Sequence, residues 1–179
     1  MPGLFRETRT ASTATLAVWT ALQSAAIWTA TLVVLPAALV ATEAALGIER
    51  FALAGQVPLA VALFAVFSAL NASAGASMVR WGRGTPLPTA CAPRLVVRGP
   101  YAHVRNPMAL FGLGQGLAVG LGLGSWLTLA AVVVGGVLWH TLVRPAEEAD
   151  LERRLGDGYA AYQAAVPLWI PRLRPYRPT

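Results

Sequence analysis

The chain contains no lysine and a single cysteine, Cys91, and only 12% of its 179 residues are charged. One cysteine excludes an intrachain disulfide and any cysteine-rich metal site. The shortage of charge, set against 56% hydrophobic residues and a positive mean hydropathy, excludes an ordinary soluble domain, in which about a quarter of residues are charged. The net charge of +6 rests on arginine alone. These arginines flank hydrophobic runs, which is the pattern of a topology signal with headgroup contacts and not of a nucleic-acid surface.

What fills the chain instead is long apolar sequence. Four stretches stand out, at about 16–45, 51–79, 108–123 and 125–143. The first two exceed the ~20 residues that a helix needs to cross the hydrocarbon core, and Pro36 and Pro58 mark places for kinks within them. From Met108 to Val143 there is no charge, and His140 is the only ionisable residue. This region divides at Gly122-Leu-Gly-Ser125 into a hairpin whose first helix is short. The apolar N-terminal stretch is too long for a cleavable signal peptide. The expected fold is therefore all-α, a polytopic membrane bundle of about four transmembrane helices in one membrane domain.

Arginine placement orients the bundle. Arg6 and Arg9 precede the first span, Arg80, Arg83, Arg94, Arg98 and Arg105 separate the second from the third, and Arg144, Arg153, Arg154, Arg172, Arg174 and Arg177 follow the fourth. The opposite side keeps Arg50 beside Glu43 and Glu49. The positive-inside rule then puts both termini and the 80–107 loop on the cytoplasmic side of what is expected to be a bacterial cytoplasmic membrane.

Within that loop, Arg94 to Pro107 reads Arg-Leu-Val-Val-Arg-Gly-Pro-Tyr-Ala-His-Val-Arg-Asn-Pro. Arginine, histidine, asparagine, tyrosine and rigid X-Pro joints are concentrated just before a hydrophobic run, as a polar ligand at the mouth of a membrane pocket would require. The glycines that follow, Gly112-Leu-Gly114-Gln-Gly116, lack the preceding strand and following acid of a dinucleotide loop. Gly112, Gly116, Gly120 and Gly124 instead share one helix face, suited to close helix packing or to a flat ligand. Ala69, Ser73 and Ser77 repeat the small-residue pattern in the second span.

After the fourth span, Arg144-Pro-Ala-Glu147-Glu148-Ala-Asp150 opens a new helix, with Pro145 in its first turn and carboxylates at its positive end. Leu151, Leu155, Tyr159 and Tyr162 fall on one face, which predicts an interfacial amphipathic helix within 145–179, weakened at Gly156 and Gly158. An acidic pair this near the bilayer needs cationic partners or a ligand. Glu147 and Glu148 fit either function or helix capping.

Gly99-Pro-Tyr-Ala-His-Val-Arg-Asn-Pro-Met108, followed by Glu147-Glu148-x-x-Leu151-x-x-x-Leu155-Gly156-x-x-Tyr159-x-x-Tyr162 and by Val166-Pro167 and Ile170-Pro171, resembles the isoprenylcysteine carboxyl methyltransferase family and the related phospholipid methyltransferases. The resemblance covers roughly residues 80–175, including Gly84-Thr-Pro-Leu-Pro88. It implies an integral membrane enzyme that takes S-adenosylmethionine from the cytosol and methylates a lipophilic acceptor arriving from the bilayer, with no metal. It also implies that Gly99, Pro100, Tyr101, His103, Val104, Arg105 and Pro107 lie at the cofactor, that Glu147 and Glu148 close the pocket, and that Arg105, Asn106 and Glu147 are the catalytic candidates.

The chain departs from the family where Asn106 replaces a frequent histidine and Ala109 a frequent tyrosine, so no proton-accepting role is carried to 106. His103 fits an interfacial histidine as well as a catalytic one. The acceptor can be a carboxylate, an amine or a thiol. Two alternatives stand beside this reading: an NADPH-dependent membrane reductase of the sterol-reductase type, similar around an Arg-His-Pro segment, and a non-catalytic scaffold or transporter, which accounts for the spans but not for the paired polar motifs.

Overall fold

A computed structural model describes residues 12–84 and 92–178, which leaves Arg6, Arg9, Cys91 and the Thr85–Pro88 approach outside the described residues. Helix α1 (Thr13–Trp28) passes through a π-helical turn (Thr29–Val34) into α2 (Leu35–Leu46), forming one apolar helix of 34 residues. Helix α3 (Gln56–Ser77) ends in a second π turn (Met78–Gly82). Helix α4 (Pro107–Leu123) and helix α5 (Trp126–Leu138) form the hairpin. Helix α5 runs on through a π turn (Trp139–Val143) into α6 (Arg144–Leu155), and α7 (Asp157–Ala165) follows. Among the described residues there is no strand, and the all-helical membrane bundle holds.

Among the described residues three helices are long and apolar enough to span, namely Thr13–Leu46, Gln56–Gly82 and Trp126–Leu155, whereas α4 is a shorter apolar helix. Its 17 residues cover only about 25 Å at 1.5 Å each, short of the ~30 Å hydrocarbon core. Trp126–Leu155, with 30 residues, covers about 45 Å. Its charged end from Arg144 onward therefore stands clear of the core.

Prolines shape these helices, though not wholly as the sequence suggests. Pro36 and Pro145 each sit just beyond a π turn. A proline has no N–H and its ring excludes the carbonyl four residues back, so the preceding turn widens. Pro58 causes no kink. It lies in the first turn of α3, where a missing N–H costs nothing.

The α4–α5 hairpin turns where the sequence places it. Gly124 adopts φ +63° and Ser125 caps α5 by accepting from the Thr128 N–H. Gly116 and Gly120 face α5, where an added Cβ would meet Val132 Cγ2 and Leu129 Cδ2 at 2.7 Å, while Gly114 faces Phe67 of α3. The small-residue contact on α3 differs in part from expectation: Ser77 is buried, but Ala69 and Ser73 are exposed, and Ala74 and Gly75 pack in their place. Glu43, placed in the sequence beside Arg50 on the side poor in arginine, is not a surface charge. It is fully buried, and its Oε1 accepts from the Leu127 N–H at 2.7 Å, tying α2 to the N-terminus of α5.

The single interfacial amphipathic helix is replaced by two helices, because Gly156 takes φ 55°, ψ −137° and breaks the run. The apolar face nevertheless exists. Tyr159, Tyr162 and Val166 form a buried cluster with Leu95, Val97, Leu151, Leu155 and Tyr176, so this face is covered by protein. A second cluster of Ala74, Val96, Tyr101 and Phe111 lies beneath the loop before α4.

Candidate functional site

The segment from Gly99 to Pro107 is held in place from both sides. Gly99 has φ +60°, and a Cβ there would meet Ser77 Oγ at 2.5 Å, so only glycine lets the turn lie on α3. A single 3-10 turn, Gly99–Ala102, then presents Tyr101 inward, with its carbonyl accepting from the Tyr162 hydroxyl at 2.7 Å. The tail straps the far side: Arg105 N–H donates to the Pro167 carbonyl, Arg172 N–H to the His103 carbonyl and Tyr176 N–H to the Ala102 carbonyl, at 2.8–2.9 Å. His103 Nδ1 lies 2.8 Å from the Arg172 carbonyl, so that nitrogen carries the proton.

Asn106 does two things at once. Its Oδ1 accepts from the Ala109 N–H at 3.2 Å, capping α4, and its Nδ2 donates to Glu147 Oε2 at 3.3 Å. An amide offers both polarities from one short side chain, which accounts for asparagine at this position.

Arg105 Nη1 donates to Glu148 Oε1 at 2.7 Å, and Arg144 Nη1 reaches Glu148 Oε2 at 2.8 Å. Glu148 is therefore clamped between two guanidinium groups. Among the described residues the buried Nε of Arg105 has no hydrogen-bond partner and Glu147 has only the Asn106 amide. The Glu147 carboxyl is pushed up to about 7 by burial first and by the Glu148 charge second, with Asn106 pulling the other way. Burial, with the Glu147 charge, also raises Tyr101. One turn on, Asp150 pairs with Arg154 at 2.6 Å and with Arg153 at 3.3 Å.

These charges sit at one end of a cavity of about 680 Å³. Tyr101, Arg105, Asn106, Glu147 and Glu148 line it; Gly99, Pro100, His103, Val104 and Pro107 do not, and instead build the turn that holds the others. Beyond the charged end the walls are uncharged and mostly apolar, including Ile27, Leu32 and Leu39 of the first helix and Ala131, Val132 and Trp139 of the last. The cavity thus extends along α5 as far as Thr128, near the hairpin. Arg144, Asp150 and Arg154 also line the charged end, although in the sequence they count only as flanking charge. Their i, i+4 spacing to acidic partners is the signal that finds them. Arg94 is a wall residue too, despite its place farther out in the loop.

The glycine face is divided in function. A Cβ at Gly112 would have only Asn71 Nδ2 near it, at 3.9 Å, whereas at Gly116 it would strike Val132, whose β-branched side chain is stiff. Gly116→Ala is expected to cost about 1–3 kcal/mol by overpacking, and Gly112→Ala to leave stability unchanged or slightly raised. Thermal unfolding in detergent measures both, and equal losses would contradict the division.

The phospholipid methyltransferase family matches the chain over residues 55–158, more than half of its length. The match begins at the foot of α3, upstream of the motifs, and ends in the first turn of α7, so α1 and α2 lie outside it. No curated protein and no solved structure matches the chain. With membrane-length helices around a chamber charged at one end, and with this match across α3 to α6, the chain belongs to the phospholipid methyltransferase family of membrane methyltransferases.

Proposed function

We propose that the chain transfers the methyl group of S-adenosylmethionine to a lipophilic acceptor that reaches the chamber from the bilayer. One observation carries the reading: a single cavity joins the Arg105, Glu147 and Glu148 cluster to walls built from uncharged membrane helices. A water-soluble acceptor has no use for such walls, and a purely apolar ligand has no use for the charged end.

The donor set fits the cofactor. S-adenosylmethionine supplies a methyl group already activated on a sulfonium, together with a carboxylate, an ammonium and a flat base. The Arg105 guanidinium, which lines the chamber and which Glu148 already holds in place, is the donor for the carboxylate. Glu147, ionised, faces the ammonium or the ribose hydroxyls. The strapped 99–107 turn and the α1–α2 wall align the acceptor and exclude water. A carboxylate acceptor needs no base, since it is already ionised at neutral pH, whereas an amine or thiol acceptor has to lose a proton. The arginine distribution supports placing the charged end on the cytoplasmic side.

Calorimetric titration of the purified protein in detergent with S-adenosylmethionine and, separately, NADPH tests the reading. Glu147 is raised, so it is partly protonated at pH 7 before binding; a cation beside it favours the ionised form and expels the proton. Binding should release protons near pH 7, seen by comparing buffers of different ionisation enthalpy. Affinity should rise with pH through about 7 and then level off, and Glu147→Gln should abolish both effects. Saturable binding of NADPH but not of S-adenosylmethionine would overturn the assignment.

A further inference from the structure

The chamber is not apolar throughout. Gln23 of α1, Asn71 of α3 and Gln115 of α4 all line it. Counted along their helices, they lie about 12–16 Å from the charged end at 1.5 Å per residue, near the middle of a ~30 Å hydrocarbon core. Three amides from three helices at one depth are costly there unless each is satisfied.

A relay satisfies part of this belt. Gln115, fully buried, donates from Nε2 to Ser68 Oγ at 2.9 Å and accepts at Oε1 from Asn71 Nδ2 at 3.0 Å. Because the Ser68 hydroxyl can donate as well as accept, the two amides can turn over together without losing a bond. In either orientation Asn71, 5% exposed, gives one end of its amide to Gln115 and leaves the other without a hydrogen bond among the described residues. Gln23 has an enclosed Oε1 with no partner among the described residues. A rotation of the Gln23 amide exchanges its oxygen and nitrogen without moving the helix. The chamber thus presents the free end of one amide on one wall and an adaptable amide on another.

We propose that Asn71 and Gln23 read a hydrogen-bonding group in the middle of the bound lipid, so that the acceptor is an amphiphile carrying a hydroxyl or amide partway along its chain. A wholly hydrocarbon chain would leave the free end of the Asn71 amide and the Gln23 amide facing methylenes. Gln23 lies in α1, outside the residues that match the family, so this selectivity belongs to the chain's own wall. The inference rests on the methyltransferase reading and adds the acceptor class to it.

The test is equilibrium binding of ricinoleic acid and oleic acid, which differ by one mid-chain hydroxyl, to the full chain in detergent. Trp28 and Trp139 line the chamber and report by fluorescence. Wild type should bind ricinoleic acid roughly threefold to tenfold more tightly, the value of one neutral hydrogen bond. The double variant Gln23→Leu with Asn71→Leu should abolish the preference, and Gln23→Met with Asn71→Ala should do the same if the leucine variant does not fold. Partition into micelles cancels between wild type and variant. Equal binding of the two acids by wild type, no saturable binding of either, or a preference kept in the folded variant would each overturn the proposal. The titration contains no S-adenosylmethionine, so failure here leaves the methyltransferase reading standing, and failure of cofactor binding leaves the lipid preference standing.

Discussion

Arg105→Ala is expected to weaken S-adenosylmethionine binding roughly tenfold to a hundredfold, the loss of about 1.5–3 kcal/mol that accompanies removal of a charged hydrogen-bonding partner. Arg174→Ala, on the exposed tail, should change nothing. The effect has two parts. On the proposed reading the guanidinium donates to the ligand; it also holds Glu148, which among the described residues keeps only Arg144 once Arg105 is gone. Arg105→Lys should recover little, because an ammonium cannot hold Glu148 and a second carboxylate with one planar fork. Calorimetry on the three variants measures this, and wild-type affinity in Arg105→Ala would remove Arg105 from the cofactor site.

The second large effect is on folding. Gly124→Ala is expected to destabilise the bundle by about 3–5 kcal/mol, the sum of left-handed strain, a backbone collision and a lost hydrogen bond. At φ +63° an added Cβ runs into the Phe51 carbonyl oxygen, a backbone atom that cannot swing aside. The Gly124 carbonyl also accepts from the Phe51 N–H at 3.0 Å, so the collision falls where the α4–α5 turn is joined to the entrance of α3. Gly47→Ala is the control: φ is +68° but open space surrounds it, so only the strain of about 1 kcal/mol applies. Thermal unfolding in detergent should separate the two variants clearly, and similar losses would show that the Phe51 contact contributes nothing.

The sequence by itself determined the class of fold, the long spans, the hairpin at Gly124 and Ser125, and the two motifs that meet at the site. Each is a local property. Hydropathy is summed over a window of neighbours, a turn needs glycine at a positive φ, and Asn106-Pro107 begins a helix whatever surrounds it. The paired acids were legible as well, because Glu147 and Glu148 beside a bilayer demand partners.

Only the tertiary structure decided which partners those are and which apolar faces are covered. Glu43 stands beside Arg50 in the sequence, on the side poor in arginine, yet it is buried against the Leu127 N–H 84 residues away. Asn71 and Gln115, 44 residues apart, meet because α3 and α4 are rotated to bring them together. The glycines of α4 look equivalent in sequence, but Gly114 meets α3, Gly116 and Gly120 meet α5, and Gly112 opens on the chamber. The physical reason is common to all of them: local sequence sets helical length and periodicity, whereas the rotation of one helix about its axis against another is set by the whole bundle, and a hydrogen bond between helices depends on that rotation.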